Sequence, residues 1–599
     1  MNRLAAVWRQ LAGRPRALLW LLLLAAVLHS GTSIQGGLYA DDYIQRAFYH
    51  GSQRLAEKGL LDGSEPHSLR SVLLNQFNFF DPASANYPAL KEFGLLPWWT
   101  GDNAMLHFFR PLASLTHYLD YRLWPDSSRM MHLVSLLWYL LGLLAVYRLY
   151  RGVGVEKSIA LLALLLVILD QSVFQVVTWI ASRSMLMVIA IGFFTVYAYH
   201  RSINDKRWYI VALAGLLASL LSAEGAIGIC AYLGAYLFTL DQRRWPRRIL
   251  HILPFALLTL AWHGAYQQAG FGAYGVDFYL DPGREPLAFL QQASYRLPGN
   301  FFELASGMDF FSGQVRPDVR NGVFAVAGLV TLAALLWLLW PQLRRDRVQQ
   351  FFLLAALFAL VPGLTIALAP RVMILPFVGF AVLLAGIMAA TARGLYYGAR
   401  QRLGLLVSGY SVVMHVLIAA GLALFMTGSS IRATLDSNAP RGHVELGVDD
   451  FAGRHLVIVN SLRPFWLAFV GHQLDYNKQD LPQSLRVLSS AMYPLSLSRI
   501  DEKTLELSGE PAIQLDREPL TAMGDKPLLH FIYLTQQLLG LVRAGRDEWQ
   551  VGQQYVFDDM TITVAALHDK KPQRLRLVLQ QPLEDYRFVY WSIQGRQYR

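Results

Sequence analysis

A single cysteine, Cys230, stands in 599 residues, and it sits inside an apolar run. A disulfide framework and a cysteine metal site are both excluded. Charge is scarce too: Asp, Glu, Lys and Arg make up 16% of the chain against 54% hydrophobic residues, and the mean hydropathy is positive. Average soluble domains carry about 25% charged residues, so the expected class is a polytopic α-helical membrane protein. No low-complexity segment and no internal repeat stands out. The formal net charge of +11 could serve nucleic acid, yet the basic residues lie in short clusters between apolar runs. The positive-inside rule accounts for them, and no nucleic-acid module is found.

Apolar runs of about 17–23 residues read as spanning helices. Roughly eleven occur, near 17–35, 130–150, 158–173, 184–201, 208–222, 225–240, 249–268, 321–340, 351–369, 371–392 and 405–427. The clusters Arg14/Arg16, Arg148/Arg151/Lys157, Arg201/Lys206/Arg207, Arg243/Arg244/Arg247/Arg248, Arg344/Arg345/Arg347 and Arg393/Arg400/Arg402 fall in alternate connections. All can be cytoplasmic together, which puts the amino terminus inside. The Asp41 loop, the 269–320 loop and the tail after Thr427 then lie outside. The run 17–30 has no small-x-small cleavage site ahead of Asp41 and reads as an uncleaved anchor.

Two units are expected: a membrane domain over 1–429 with long outer loops at 36–129 and 269–320, and a small β-rich soluble domain over 430–599. In the first loop, 69–80 and 106–124 are apolar but too short to span, and read as interfacial helices. The second carries Asp277, Asp281, Pro282, Arg284 and Asp309. In the tail, His455–Asn460, 485–490, 495–500, 504–508, 555–567 and 574–580 read as strands, and 526–542 as a helix.

Asp41 and Asp42 follow the first apolar run directly, on the side that the charge pattern makes external. Paired carboxylates at a membrane surface point to chemistry, whereas a solvated loop start is the bland reading. Arg183, after TWIAS, and Arg371, in APR, lie where positive charge is normally sparse, and such an arginine needs a partner. A lipid headgroup or an acid such as Glu224 or Asp170 would serve; so would a phosphate, which the guanidinium fork binds through paired hydrogen bonds. Arg110 in HFFRPL adds a third cation. Glu224 in SAEGA reads as an acid that orients an arginine or a helix end. His107, His117 and His132 match no compact ligand spacing, so no metal site is expected. Trp98, Trp99, Trp124 and Trp179 read mostly as an aromatic belt.

Several segments in order resemble the GT-C superfamily of polyprenyl-phosphate-sugar-dependent glycosyltransferases, in the branch of the protein O-mannosyltransferases and TMTC-type proteins with their bacterial relatives. They are YADDY (39–43), FRPLASLTHYLDYRLW (109–124), MHLVSLL (131–137), VVTWIASRSMLM (176–187), LLSAEGA (220–226) and APRVMILPFVGF (369–380). The chain departs from the pattern at Phe174 and Gln175, where relatives carry His and Glu, at Ser135 and Trp138, and at Ala223 in place of Lys. No tetratricopeptide repeats follow the membrane part.

The resemblance implies a GT-C fold and transfer of a sugar, with inversion, from a polyprenyl-phosphate-linked donor to a hydroxyl of a protein or cell-surface glycan. It places the reaction on the periplasmic face of a bacterial inner membrane. A phosphate leaving group needs no protonating acid, so one carboxylate can suffice. Asp41 is expected to be the base and Asp42 to orient the acceptor or share that role. Arg110, Arg183 and Arg371 are expected on the donor phosphate, with His132 and Glu224 in support and no cofactor required. The competing readings are a transporter or flippase of lipid-linked saccharides, and a periplasmic polymerase or ligase.

Overall fold

The computed structural model describes residues 15–276, 279–308, 320–366, 370–422, 425, 453–460, 468–489, 495–510, 512–513, 548–592 and 595–598. Among the described residues, helix occurs in each of the eleven apolar runs. These are α1 (Pro15–Ser30), which runs on as a 3-10 turn over Gly31–Gln35, α5 (Ser128–Gly152), α6 (Lys157–Leu169) with α7 (Gln171–Thr178), α8 (Arg183–Ser202) and α9 (Arg207–Leu220). Then come α10 (Ile227–Thr239), α11 (Trp245–Gln268), α13 (Ala325–Leu343), α14 (Arg347–Gly363), α15 (Ile374–Ala392) and α16 (Ala399–Ser411). The intervening α2 (Asp42–His50), α3 (Leu69–Asn75), α4 (Pro111–Leu123) and α12 (Pro286–Ser306) belong to the two long loops.

Among the described residues six helices are long and apolar enough to cross a membrane: Ser128–Gly152, Ile180–Ser202, Trp245–Gln268, Asn321–Leu343, Arg371–Ala392 and Ala399–Leu422. Three others are shorter than their apolar runs, at 14 residues for Arg207–Leu220, 13 for Ile227–Thr239 and 17 for Arg347–Gly363. The run 158–173 is broken. Asp170 accepts a hydrogen bond from Ser172 N at 3.0 Å, capping α7, and α6 and α7 meet at 54°. A local polar partner for the first amides of a new helix competes with continuation of the old one. The 269–320 segment, expected as a loop, contains the 21-residue α12. Gly328 of α13 lies so close to α12 that an added Cβ would stand 1.8 Å from the Pro298 carbonyl oxygen.

Helix α15 is apolar on all sides and buried along nearly its whole length, as a central helix must be. Tyrosine hydroxyls staple its backbone: Tyr150 donates to the Val378 carbonyl at 2.5 Å and Tyr232 to that of Leu375 at 2.6 Å. Connections that the charge pattern assigns to one side do meet. Arg393 donates to Glu156 at 2.8 Å, and Gln342 to Tyr396 at 2.6 Å.

The loops are structured. The apolar stretches 69–80 and 106–124 each hold a helix and a strand, α3 with β1 (Asn78–Phe80), and β2 (Met105–His107) with α4. With β3 (Gly272–Tyr274) these strands form an antiparallel sheet β1-β2-β3 that ties the two loops together. In the tail, β4 (His455–Asn460), β5 (Ser484–Ser489), β6 (Leu495–Arg499), β7 (Thr504–Gly509), β9 (Met560–His568) and β10 (Lys571–Leu579) match expected strands to within a few residues. The run 555–567 is a hairpin of β8 (Gln554–Val556) and β9. Sequence reading missed β11 (Tyr586–Ser592), β12 (Gly595–Tyr598) and α17 (Val470–Tyr476). The strands form two sheets, β6-β7-β10-β9-β8 and β12-β11-β4-β5, the second parallel across β11-β4-β5. The expected helix at 526–542, and Asp277 and Asp309, lie outside the described residues.

Candidate functional site

Asp41 and Asp42 sit where the 3-10 turn after α1 gives way to α2. Ala40, which introduces them, has φ of +51°, a left-handed conformation that costs a residue with a Cβ about 1–2 kcal/mol. Such strain persists only where surrounding contacts over-determine it, and the contacts here are evident. Asp42 Oδ2 accepts from Tyr39 N at 2.9 Å and Oδ1 from Ala181 N at 2.8 Å. Asp41 Oδ1 accepts from Trp179 Nε1 at 2.7 Å. The YADDY and TWIAS segments, far apart in sequence, are thus stapled together at both acids.

Arg371, at the start of the helical turn Pro370–Met373, completes this layer, its guanidinium carbon 5.6 Å from the Trp179 ring centroid. One indole therefore has Asp41 on its N–H and a cation near its ring. Arg110 joins from the first loop. It stands 4.5 Å from the Phe108 ring centroid and 5.0 Å from that of Phe77. Its Nε donates to Glu224 Oε2 at 2.8 Å, and Tyr266 donates to Glu224 Oε1 at 3.2 Å. Leu112 N donates to the Leu221 carbonyl at 3.0 Å, so the FRPL and SAEGA segments also meet. Glu224 is thus the acid that holds an arginine.

Arg183 occupies a different place. It has no exposed side-chain surface, and its guanidinium is ion-paired with Asp120 of α4, itself 3% exposed. It also donates to Ser135 Oγ at 3.0 Å and to the Met131 carbonyl at 2.7 Å. The sequence offers Glu224 and Asp170 as its partners, whereas the structure pairs it with Asp120. His132 lies nearby, its Nε2 3.3 Å from the Gly37 carbonyl, under the turn that leads to the acids. These residues are built into the floor of the site.

Burial pushes the Asp41 carboxyl up to about 6, against the lowering effects of the Trp179 hydrogen bond and of the Arg371 and Arg110 charges. Asp42 is raised well above the ordinary carboxylate range by burial and then by the Asp41 charge, against its two backbone amides. Because the folded value of Asp41 exceeds its unfolded one, ionising it disfavours the fold. Stability from this group is present below the ordinary carboxylate range near 4 and lost as pH rises through about 6. A base must be ionised, so activity dependent on Asp41 is expected to fall as pH drops below about 6. A pH profile of the wild type that stays flat to pH 4 would remove Asp41 from that role.

Sequence reading missed Trp179 as an Asp41 ligand, Asp120 as the Arg183 partner and Tyr266. A sole acid in the 13-residue α4 was a signal for Asp120; nothing marked Tyr266. Among the described residues no group of three or more His, Cys, Asp or Glu converges. Asp42 has both oxygens on backbone amides, and His107 Nδ1 is occupied by Asp81 at 2.9 Å.

No family model matches the chain, and no curated protein matches it. Among solved structures it is similar to the Archaeoglobus fulgidus oligosaccharyltransferase tethered to an acceptor peptide, at 12% identity and TM-score 0.39. Similar too are Archaeoglobus fulgidus AglB with an inhibitory peptide and a dolichol-phosphate, at 13% and 0.39, and Cupriavidus metallidurans ArnT bound to undecaprenyl phosphate, at 12% and 0.31. The matches cover 79%, 79% and 78% of this chain. The chain spans 64% of the length of the archaeal proteins and 89% of ArnT.

Proposed function

We propose that the chain is a membrane glycosyltransferase of GT-C type, moving a sugar with inversion from a polyprenyl-phosphate-linked donor to a protein or glycan hydroxyl. The reaction takes place on the periplasmic face of a bacterial inner membrane, with about eleven spans and the 430–599 unit outside. An external reporter joined near Gln550 reads that orientation; activity there only of a cytoplasmic reporter would overturn it.

One observation carries the reading: a carboxylate, Asp41, and a cation, Arg371, share the same indole, Trp179. Adjacency of this kind is what a base and a phosphate ligand acting on one glycosidic bond require. Asp41 takes the proton of the acceptor hydroxyl as its oxygen attacks the anomeric carbon. The bond to the phosphate oxygen breaks, and Arg371, with Arg110 behind it, stabilises the charge that develops there. Asp42, held by two amides, fixes the acid pair rather than entering the chemistry. Arg183, fully buried and ion-paired, is assigned to the floor of the site instead of the donor.

The test is purified protein with a lipid-linked sugar in EDTA, asking whether free polyprenyl phosphate appears together with a glycosylated acceptor. No release under any condition would reject the reading. The broken α6–α7 pair favours a second one, a transporter of lipid-linked saccharide, since discontinuous helices line transport sites. A transporter would move the donor without cleaving it.

Arg371→Ala is expected to weaken donor use by roughly 10- to 100-fold, since a charge-assisted contact contributes about 1.5–3 kcal/mol. Lys should restore part of it, lacking the fork. The measurement is the donor KM; an unchanged value would assign Arg371 to lipid headgroups.

A further inference from the structure

The tail does not stand apart from the acids. Helix α2 begins with Asp42, and Tyr43 in its first turn lies 5.4 Å, centroid to centroid, from Tyr476 at the end of α17. Arg46, one turn further along α2 and so on the same face, places its guanidinium 4.8 Å from the same Tyr476 ring. Beyond α2, Arg54 pairs with Asp475 at 3.6 Å and donates to the Gln479 carbonyl, and Lys58 donates to that of Gln483 at 3.4 Å.

Further contacts tie the first loop to the tail. Arg486, 2% exposed, binds Asp559 of the tail at 2.7 Å and Glu92 of the first loop at 3.1 Å, while Asp558 N donates to the same Glu92 oxygen at 2.9 Å. Trp98 of the loop donates to the Leu488 carbonyl at 3.3 Å. Gly94, at φ of +96°, packs so closely on β5 that a Cβ there would fall 1.5 Å from the Leu485 carbonyl oxygen. Loop and tail bury one continuous apolar cluster, from Leu55, Phe77 and Trp99 to Leu456, Leu485 and Leu577.

We infer that the tail is part of the catalytic site: through Tyr476, α17 sets the angle of α2 and with it the aim of the Asp41 carboxylate. Tyr476 is then a positioning residue. The catalytic consequence rests on the transferase reading above; the coupling of α17 to α2 rests on the contacts alone. Tyr476 is 42% exposed, so truncating it leaves no core cavity, and the full chain should fold.

The experiment compares Tyr476→Ala and Tyr476→Phe in the full-length chain in detergent, by amide hydrogen exchange and by transfer kinetics. In the alanine variant, exchange over 42–50 should quicken roughly tenfold while that of α8 holds, because an aromatic pair and a cation–π contact are lost together. The kcat should fall roughly 10- to 100-fold at near-constant donor KM, as expected when a reacting group is misaimed. Phenylalanine keeps the ring and should behave as wild type in both. Unchanged exchange over 42–50 in the alanine variant, or failure of phenylalanine to restore it, would overturn the inference. If the wild type transfers no sugar, the transferase reading fails on its own, and the exchange arm still decides the coupling.

Discussion

Asp41→Asn is expected to lower sugar transfer by about 10²–10⁴-fold, the usual contribution of a general base, while folding and donor binding stay close to wild type. The amide keeps the size of the carboxylate and can still accept from Trp179 Nε1, the 2.7 Å bond that orients it. It cannot take the acceptor's proton. The acid limb of the pH profile should vanish with the carboxylate. The companion Asp42→Asn removes one of two acceptors for backbone amides, Tyr39 N or Ala181 N, and should act first on the seating of the loop. Normal transfer in the Asp41 variant together with loss in the Asp42 variant would move the base by one residue. Normal transfer in both would reject the mechanism. Donor binding, measured alongside in monodisperse protein, separates chemistry from recognition.

Arg183→Ala should reduce stability by about 3–5 kcal/mol, because it leaves Asp120 buried without its countercharge. Melting in detergent measures this, and a large fall in Tm or in the yield of monodisperse protein is the expected result. Replacing both partners by apolar residues, Arg183→Met with Asp120→Leu, should recover much of the loss, since neither charge is then stranded. This pair of variants separates the two roles open to Arg183. A phosphate ligand would give an alanine variant of normal Tm with impaired donor binding, and the apolar pair would not rescue it.

The ordered motifs were legible because each marks a helix end with an out-of-place polar residue, and those residues meet as contacts: Asp41 with Trp179, Asp42 with Ala181, Arg371 with Trp179, Arg110 with Glu224. The division of labour among the cations was not legible. Arg183 and Arg371 both follow a short turn between apolar runs, and local sequence cannot say which guanidinium faces inward. That depends on whether an acid from another helix lies within reach, and Asp120 does so for Arg183 alone of the two. The helix break at Asp170 was hidden for a related reason. Hydropathy is blind to a side chain that caps a new helix from within an apolar run.

By itself the sequence determined the apolar, largely helical character of the chain, the places where helices occur among the described residues and most strands of the tail. Those follow from periodicity, length and charge, which are local properties of the chain. Only the tertiary structure decided which polar side chains share a surface. It put Asp41, Trp179 and Arg371 in one layer, Arg183 in the floor beneath it, and α17 against the helix that carries Asp42. Buried charges must find partners, and residues distant in sequence supply them, so their pairing is settled only when the whole chain packs.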